Sequence, residues 1–74
     1  MRAYVLITAE AGAPESIEHH LNEAGIDQVD HVAGTYDLVA VLEAEDARKI
    51  GEIVMKTIQR TPGVRSTVTL MTLK

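Results

Sequence analysis

The chain contains no cysteine, tryptophan or phenylalanine, and its only aromatic residues are Tyr4 and Tyr36. Without cysteine there is no disulfide, no Cys-ligated zinc and no thiol nucleophile. Two tyrosines cannot build the stacking platform of an RNA-recognition sheet, so the core must be aliphatic. The five glycines (Gly12, Gly25, Gly34, Gly51 and Gly63) are scattered, which excludes a glycine-rich phosphate loop. The two serines, Ser16 and Ser66, stand outside any nucleophile elbow. No apolar run approaches the ~18 residues of a membrane span. Residues 3–9, ahead of Glu10, are too short for a signal-peptide core and lack its tripartite pattern, so the cytoplasm is the expected compartment.

What is present is an ordinary globular composition, 46% hydrophobic and 24% charged over 74 residues, enough for one small domain. Scaling rules give such a chain about 4,400 Å² of folded surface against about 11,600 Å² unfolded. Apolar burial then contributes on the order of 105 kcal/mol. Ordering the chain costs about 110 kcal/mol. A monomer sits near zero, and an oligomer is expected.

Charge is unevenly divided. Residues 1–46 carry ten acids and one base, Arg2, whereas residues 47–74 carry six bases and one acid, Glu52. The net charge of −4 argues against nucleic acid as a direct partner. Much of the division suits helix electrostatics. Glu45 and Asp46 fall at a helix N-terminus and Lys56 and Arg60 towards its C-terminus, with Arg48/Glu52 and Glu52/Lys56 as i,i+4 pairs. The same division also makes a dipolar surface that favours head-to-tail contacts.

The β-branched run over residues 3–9 predicts a strand. Pro14 suits the first turn of a helix carrying Ile17, Leu21 and Ala24, with Gly25 at its C′ position. Residues 28–33 and 36–43 read as a hairpin joined by a two-residue Gly34-Thr35 turn of type II′. A second helix is predicted over about residues 45–60, with Ala47, Ile50, Gly51, Val54 and Ile58 on one stripe. Ile53 falls off that stripe and is a candidate partner contact. Residues 61–63 (Thr-Pro-Gly) break the helix before a last strand over residues 64–73. The order βαββαβ predicts a ferredoxin-like α+β fold with two helices on one face of an antiparallel sheet.

The strands are apolar on both faces. Val5, Ile7, Leu38, Ala40, Leu42, Val68 and Leu70 are expected on one, and Tyr4, Leu6, Val39, Val41, Met71 and Leu73 on the other. A sheet with helices on one side should be polar on the other. Its apolar second side predicts sheet-to-sheet dimerisation, the dimeric α+β-barrel type, with Leu6 and Leu73 as open-face residues.

Catalytic and metal chemistry find little purchase. His19 and His20 are about 100° apart on a helix, and His31 stands alone on a strand, so neither a metal nor a cofactor is implied. Thr67, Thr69 and Thr72 suit a strand, with a hydroxyl row on the dimer face as the alternative. The hairpin is different. Asp37 places a charge beside a tight turn at the start of an apolar strand. Backbone N–H groups near Gly34 can take a carboxylate, and Asp37 can take an ammonium. Together they suit a free amino acid.

Gly34-x-Tyr36-Asp37-Leu38, a following helix, Pro62-Gly63-Val64 and Thr67-x-Thr69 together resemble the effector-binding (RAM) domain of the Lrp/AsnC family, across essentially the whole chain. The resemblance implies a ferredoxin-like domain that dimerises through its sheet, builds tetramers or octamers, and binds a small amino acid between dimers. Carried over, it assigns Gly34, Thr35, Tyr36 and Asp37 to the ligand site, joined by Thr67 and Thr69. It implies no enzymatic activity. Family members usually carry an N-terminal helix-turn-helix domain of about fifty residues. With a strand starting near residue 3, a stand-alone domain is expected, without direct DNA binding and acting with a full-length Lrp/AsnC-family regulator. The competing readings are a small dimeric α+β-barrel enzyme of monooxygenase or isomerase type using His31, Asp37 or Tyr36, a ligand-free assembly module, and an ACT-type regulatory domain.

Overall fold

The computed structural model describes residues 1–73. Four strands, β1 (Arg2–Ala9), β2 (Val29–His31), β3 (Leu38–Glu43) and β4 (Val64–Met71), form one antiparallel sheet in the order β2-β3-β1-β4. Helix α1 (Pro14–Glu23) links β1 to β2, and α2 (Ala47–Ile53) follows β3. This is the ferredoxin-like α+β arrangement the element order predicted.

Each helix end has a local cause. Pro14 opens α1, where its missing N–H costs nothing. Gly25, at φ +93°, closes it: the Gly25 N–H donates to the Asn22 carbonyl and the Ile26 N–H to the Leu21 carbonyl, which satisfies the last-turn acceptors. Asp46 caps α2 by accepting the Lys49 N–H at 3.0 Å. Helix α2 runs on into a π-helical turn, Val54–Ile58, in which the Gln59 N–H reaches the Val54 carbonyl at 2.8 Å. Gly63 then turns the chain at φ +96°, and a Cβ there would lie 2.7 Å from that of Ala13.

The core is aliphatic. Ala3, Val5 and Ile7 of β1 and Leu38, Ala40 and Leu42 of β3 meet Ile17 and Leu21 of α1, with Ile50, Val54 and Ile58 from the second helical segment. Ala47, predicted in the buried stripe, is exposed at the first turn of α2. The predicted pairs Arg48/Glu52 and Glu52/Lys56 do not close. The ion pairs among the described residues are Arg2–Glu43, His19–Glu23 and His31–Glu18.

Two further expectations need correction. The hairpin is not a two-residue II′ turn. The Val32 N–H donates to the Asp37 carbonyl at 3.0 Å and closes a four-residue loop over residues 33–36, so β3 starts at Leu38 rather than Tyr36. The faces of β4 are also exchanged. Its register sets Thr67, Thr69 and Met71 opposite Ile7, Val5 and Ala3 on the helix side, and Ser66, Val68 and Leu70 opposite Thr8, Leu6 and Tyr4 on the open side. Pairing with β1, which alternation along β4 alone does not specify, decides the phase. Leu73 lies past the end of β4 and is fully exposed, not a residue of the open face.

Candidate functional site

The helix-free face of the sheet has a layered composition. At its centre, Val39, Leu6 and Val68 form one cross-strand row, and Val41, Tyr4 and Leu70 the next. Val68 is 41% and Leu70 50% exposed, while the other four are half-buried. This is a contiguous apolar surface turned to solvent, the kind that marks an interaction site.

Polar rows close both ends of that surface. At one end Arg2 forms a 2.9 Å ion pair with Glu43, its cross-strand partner. The Tyr4 hydroxyl first and the Glu43 carboxylate second hold the Arg2 guanidinium above its ordinary value. At the other end lie Asp37, Thr8 and Ser66, where the Thr8 and Ser66 hydroxyls are hydrogen-bonded to each other.

Asp37 joins the hairpin to the end of β1. Its N–H donates to the Ile7 carbonyl at 2.9 Å, and its carboxylate Oδ2 accepts the Ala9 N–H at 2.8 Å. The β3 ladder stops at Leu38, so the carboxylate supplies the acceptor that a further ladder residue would have supplied. One carboxylate oxygen is therefore engaged by the fold, and the other has no protein partner among the described residues. Gly34 has φ +134° and open space where a Cβ would be, and Thr35 is exposed beside it. Gly34, Thr35, Tyr36 and Asp37 thus form one loop at the polar end of the open face.

Thr67 and Thr69 do not join this group within one protomer. They lie across β1 on the helix side, and the Thr67 hydroxyl accepts the Gln59 side-chain amide at 3.0 Å. Of the hydroxyl row considered for the dimer face, Thr67 and Thr69 are thus on the other face of the sheet. Thr72 lies past the end of β4, its hydroxyl donating to the Arg2 carbonyl at 2.9 Å.

Two concavities escaped the sequence reading. The larger, about 500 Å³, lies at the end of the sheet away from residues 34–37, between Ile26, Asp27 and Gln28, the end of β3, and Ile53 and Thr57. Ile53, singled out as off the helix stripe, forms part of its wall and packs against the core. The smaller, about 340 Å³, is lined by Glu15, Glu18, His19, Asn22 and His31. There His31 Nε2 lies 2.7 Å from Glu18 Oε1, a contact between β2 and α1 that sequence separation concealed. Among the described residues no group of three or more His, Asp or Glu side chains is arranged to hold a metal ion. No helix among them is long and apolar enough to cross a membrane.

Comparison with known proteins gives a consistent pattern. The family model of the Lrp/AsnC ligand binding domain matches residues 2–74. A protein from Thermus thermophilus has a similar structure, at 28% identity and a TM-score of 0.90, covering 99% of this chain and 92% of that one. The feast or famine regulatory protein from M. tuberculosis, solved in complex with L-methionine, shares the fold at 24% identity and a TM-score of 0.82, with 99% of this chain and 50% of that one covered. Homocitrate synthase from Saccharolobus solfataricus is 36% identical over 50 residues, 68% of this chain. The match spans only 11% of that enzyme's length.

Proposed function

The chain belongs to the Lrp/AsnC ligand binding domain family, and we propose on that basis that it is a non-enzymatic regulatory module that binds a small amino acid. The family match over residues 2–74 carries this reading. The apolar open face supports its second part, a homodimer formed sheet to sheet, from which tetramers or octamers are built. The neighbour solved with L-methionine supports an amino acid as the ligand class.

In this reading the ligand lies at the polar end of the open face. Its α-carboxylate meets backbone N–H groups around Gly34, Thr35 and Tyr36, and its ammonium meets the carboxylate oxygen of Asp37 that Ala9 does not use. Thr67 and Thr69 enter such a site only from another copy, because their own protomer holds them on the far side of its sheet. A ligand shared between copies stabilises whichever assembly presents more of its site, so binding and assembly are coupled. The module acts in the cytoplasm without contacting DNA, and reaches transcription through a full-length Lrp/AsnC-family regulator.

The homocitrate synthase match favours a second use of the same chemistry, in which the module reports amino-acid levels to a biosynthetic enzyme. Both uses require amino-acid binding. The test is a calorimetric screen of the standard amino acids combined with light scattering. Saturable binding of one or two of them with a change in mass is expected, and flat titrations throughout would leave only a ligand-free assembly module.

A further inference from the structure

The larger concavity, about 500 Å³, falls within the ~300–1,000 Å³ of small-molecule pockets. It lies at the opposite end of the sheet from the proposed amino-acid site at residues 34–37. The turn after α1, residues 24–28, forms one wall, Ile53 and Thr57 form the other, and Leu42 of β3 lies between them. The turn and the second helical segment belong to the helix layer, so a second copy on the open face leaves the cavity accessible.

Its polar groups are mostly acceptors. Helix α1 ends here, and the carbonyls of Ala24 and Gly25 accept no backbone N–H among the described residues. They carry the partial negative charge of a helix C-terminus. Asp27 is exposed and forms no ion pair within 4 Å among the described residues. The Thr57 hydroxyl can accept, and Gln28 can present either end of its amide. Glu43, the second carboxylate, is already held by Arg2 at 2.9 Å. No lysine, arginine or histidine lines the cavity. The complement of such a set is a group that only donates, and an ammonium has three donors and no acceptor.

Beside the acceptors lies an apolar surface. Ile26 and Leu42 are buried and Ile53 is half-buried. Ile53 sits off the core-facing stripe of its helix and turns to this cavity instead, where it can cover a methylene stem. We propose that the cavity binds a small primary amine. Its ammonium donates to the Asp27 carboxylate and the terminal carbonyls of α1, and its alkyl stem lies on Ile26, Leu42 and Ile53. An anion is rejected, because its carboxylate meets the charge of Asp27 and the negative helix end. The ligand class therefore differs from that of the loop at residues 34–37, and the two sites are independent.

The test titrates the full chain with n-pentylamine at constant pH and ionic strength and follows the amide NMR spectrum. Saturable shifts are expected at residues 24–28, 42–43 and 53–57. Ethylamine, with a shorter stem, is expected to bind at least roughly ten-fold more weakly. Pentanol keeps the stem without the charge and is expected to be weaker by a similar factor, roughly ten-fold. Pentanoate is expected to leave these amides unmoved. Asp27→Asn, an exposed and nearly isosteric change, is expected to keep the wild-type spectrum and weaken pentylamine roughly five-fold. Asp37→Asn is expected to leave pentylamine binding unchanged. The proposal is overturned if the cavity amides do not shift, or if pentanol or pentanoate moves them as pentylamine does. It is equally overturned by unchanged affinity in Asp27→Asn, or by pentylamine shifts at residues 34–37 that Asp37→Asn removes.

Discussion

Asp37 is a structural residue to which the proposed function adds a second duty, ligand binding. Its Oδ2 accepts the Ala9 N–H at 2.8 Å, so the carboxylate is structural before it meets any ligand. The two duties come apart on substitution. Asp37→Ala removes the acceptor from a partly buried N–H and is expected to destabilise the chain by ~1–3 kcal/mol, read from thermal or urea unfolding. Asp37→Asn keeps an oxygen for Ala9 but loses the charge proposed to meet the ligand's ammonium. Its melt is expected to stay near wild type while amino-acid affinity, measured by calorimetry, falls roughly ten- to hundred-fold. Unchanged affinity in a folded Asp37→Asn protein would make Asp37 structural only.

The second helix is the element whose boundaries depend most on one residue. Asp46, in extended conformation at φ −155°, turns its carboxylate onto the Lys49 N–H, and the helical geometry begins at Ala47. Asp46→Ala is expected to cost ~0.5–2 kcal/mol by leaving a first-turn donor to water. Chemical denaturation with an unchanged m-value would check it. The hairpin between β2 and β3 was less legible. A glycine followed by one residue suggested a two-residue turn, but the ladder closes at Val32 and Asp37. The Asp37 N–H is drawn instead to the Ile7 carbonyl of β1, a partner thirty residues away that no local signal announces.

At the scale of the molecule, the uncovered sheet face is the dominant unsatisfied feature. Leu6 and Leu70 lie near the middle of that surface in adjacent strands. Leu6→Asp and Leu70→Asp, made separately, are each expected to turn the dimer into a destabilised monomer, since a carboxylate in a dry interface costs several kcal/mol. Sedimentation at micromolar concentration is the measurement. If both variants stay dimeric with wild-type melting, the open face is not the dimer interface.

Element order, the ends of α1 and the aliphatic core were legible in the sequence because they rest on neighbours: apolar spacing, Pro14, Gly25 and the break at residues 61–63. The second helix, expected over about residues 45–60, begins at Ala47 and turns π-helical from Val54. That the sheet carries apolar residues on both sides followed from composition and alternation alone. Which residues occupy each side of β4 did not, because alternation is a period without a phase and only pairing with β1 sets it. The same distinction holds for the candidate site. The loop containing Gly34 and Asp37 stood out as a charge beside a turn, whereas its separation from Thr67 and Thr69, the Asp37–Ala9 bond and the Glu18–His31 contact arise between segments distant in sequence. Local propensities act along the chain, and register and burial act across it, so the tertiary structure alone decided which of these side chains share a surface.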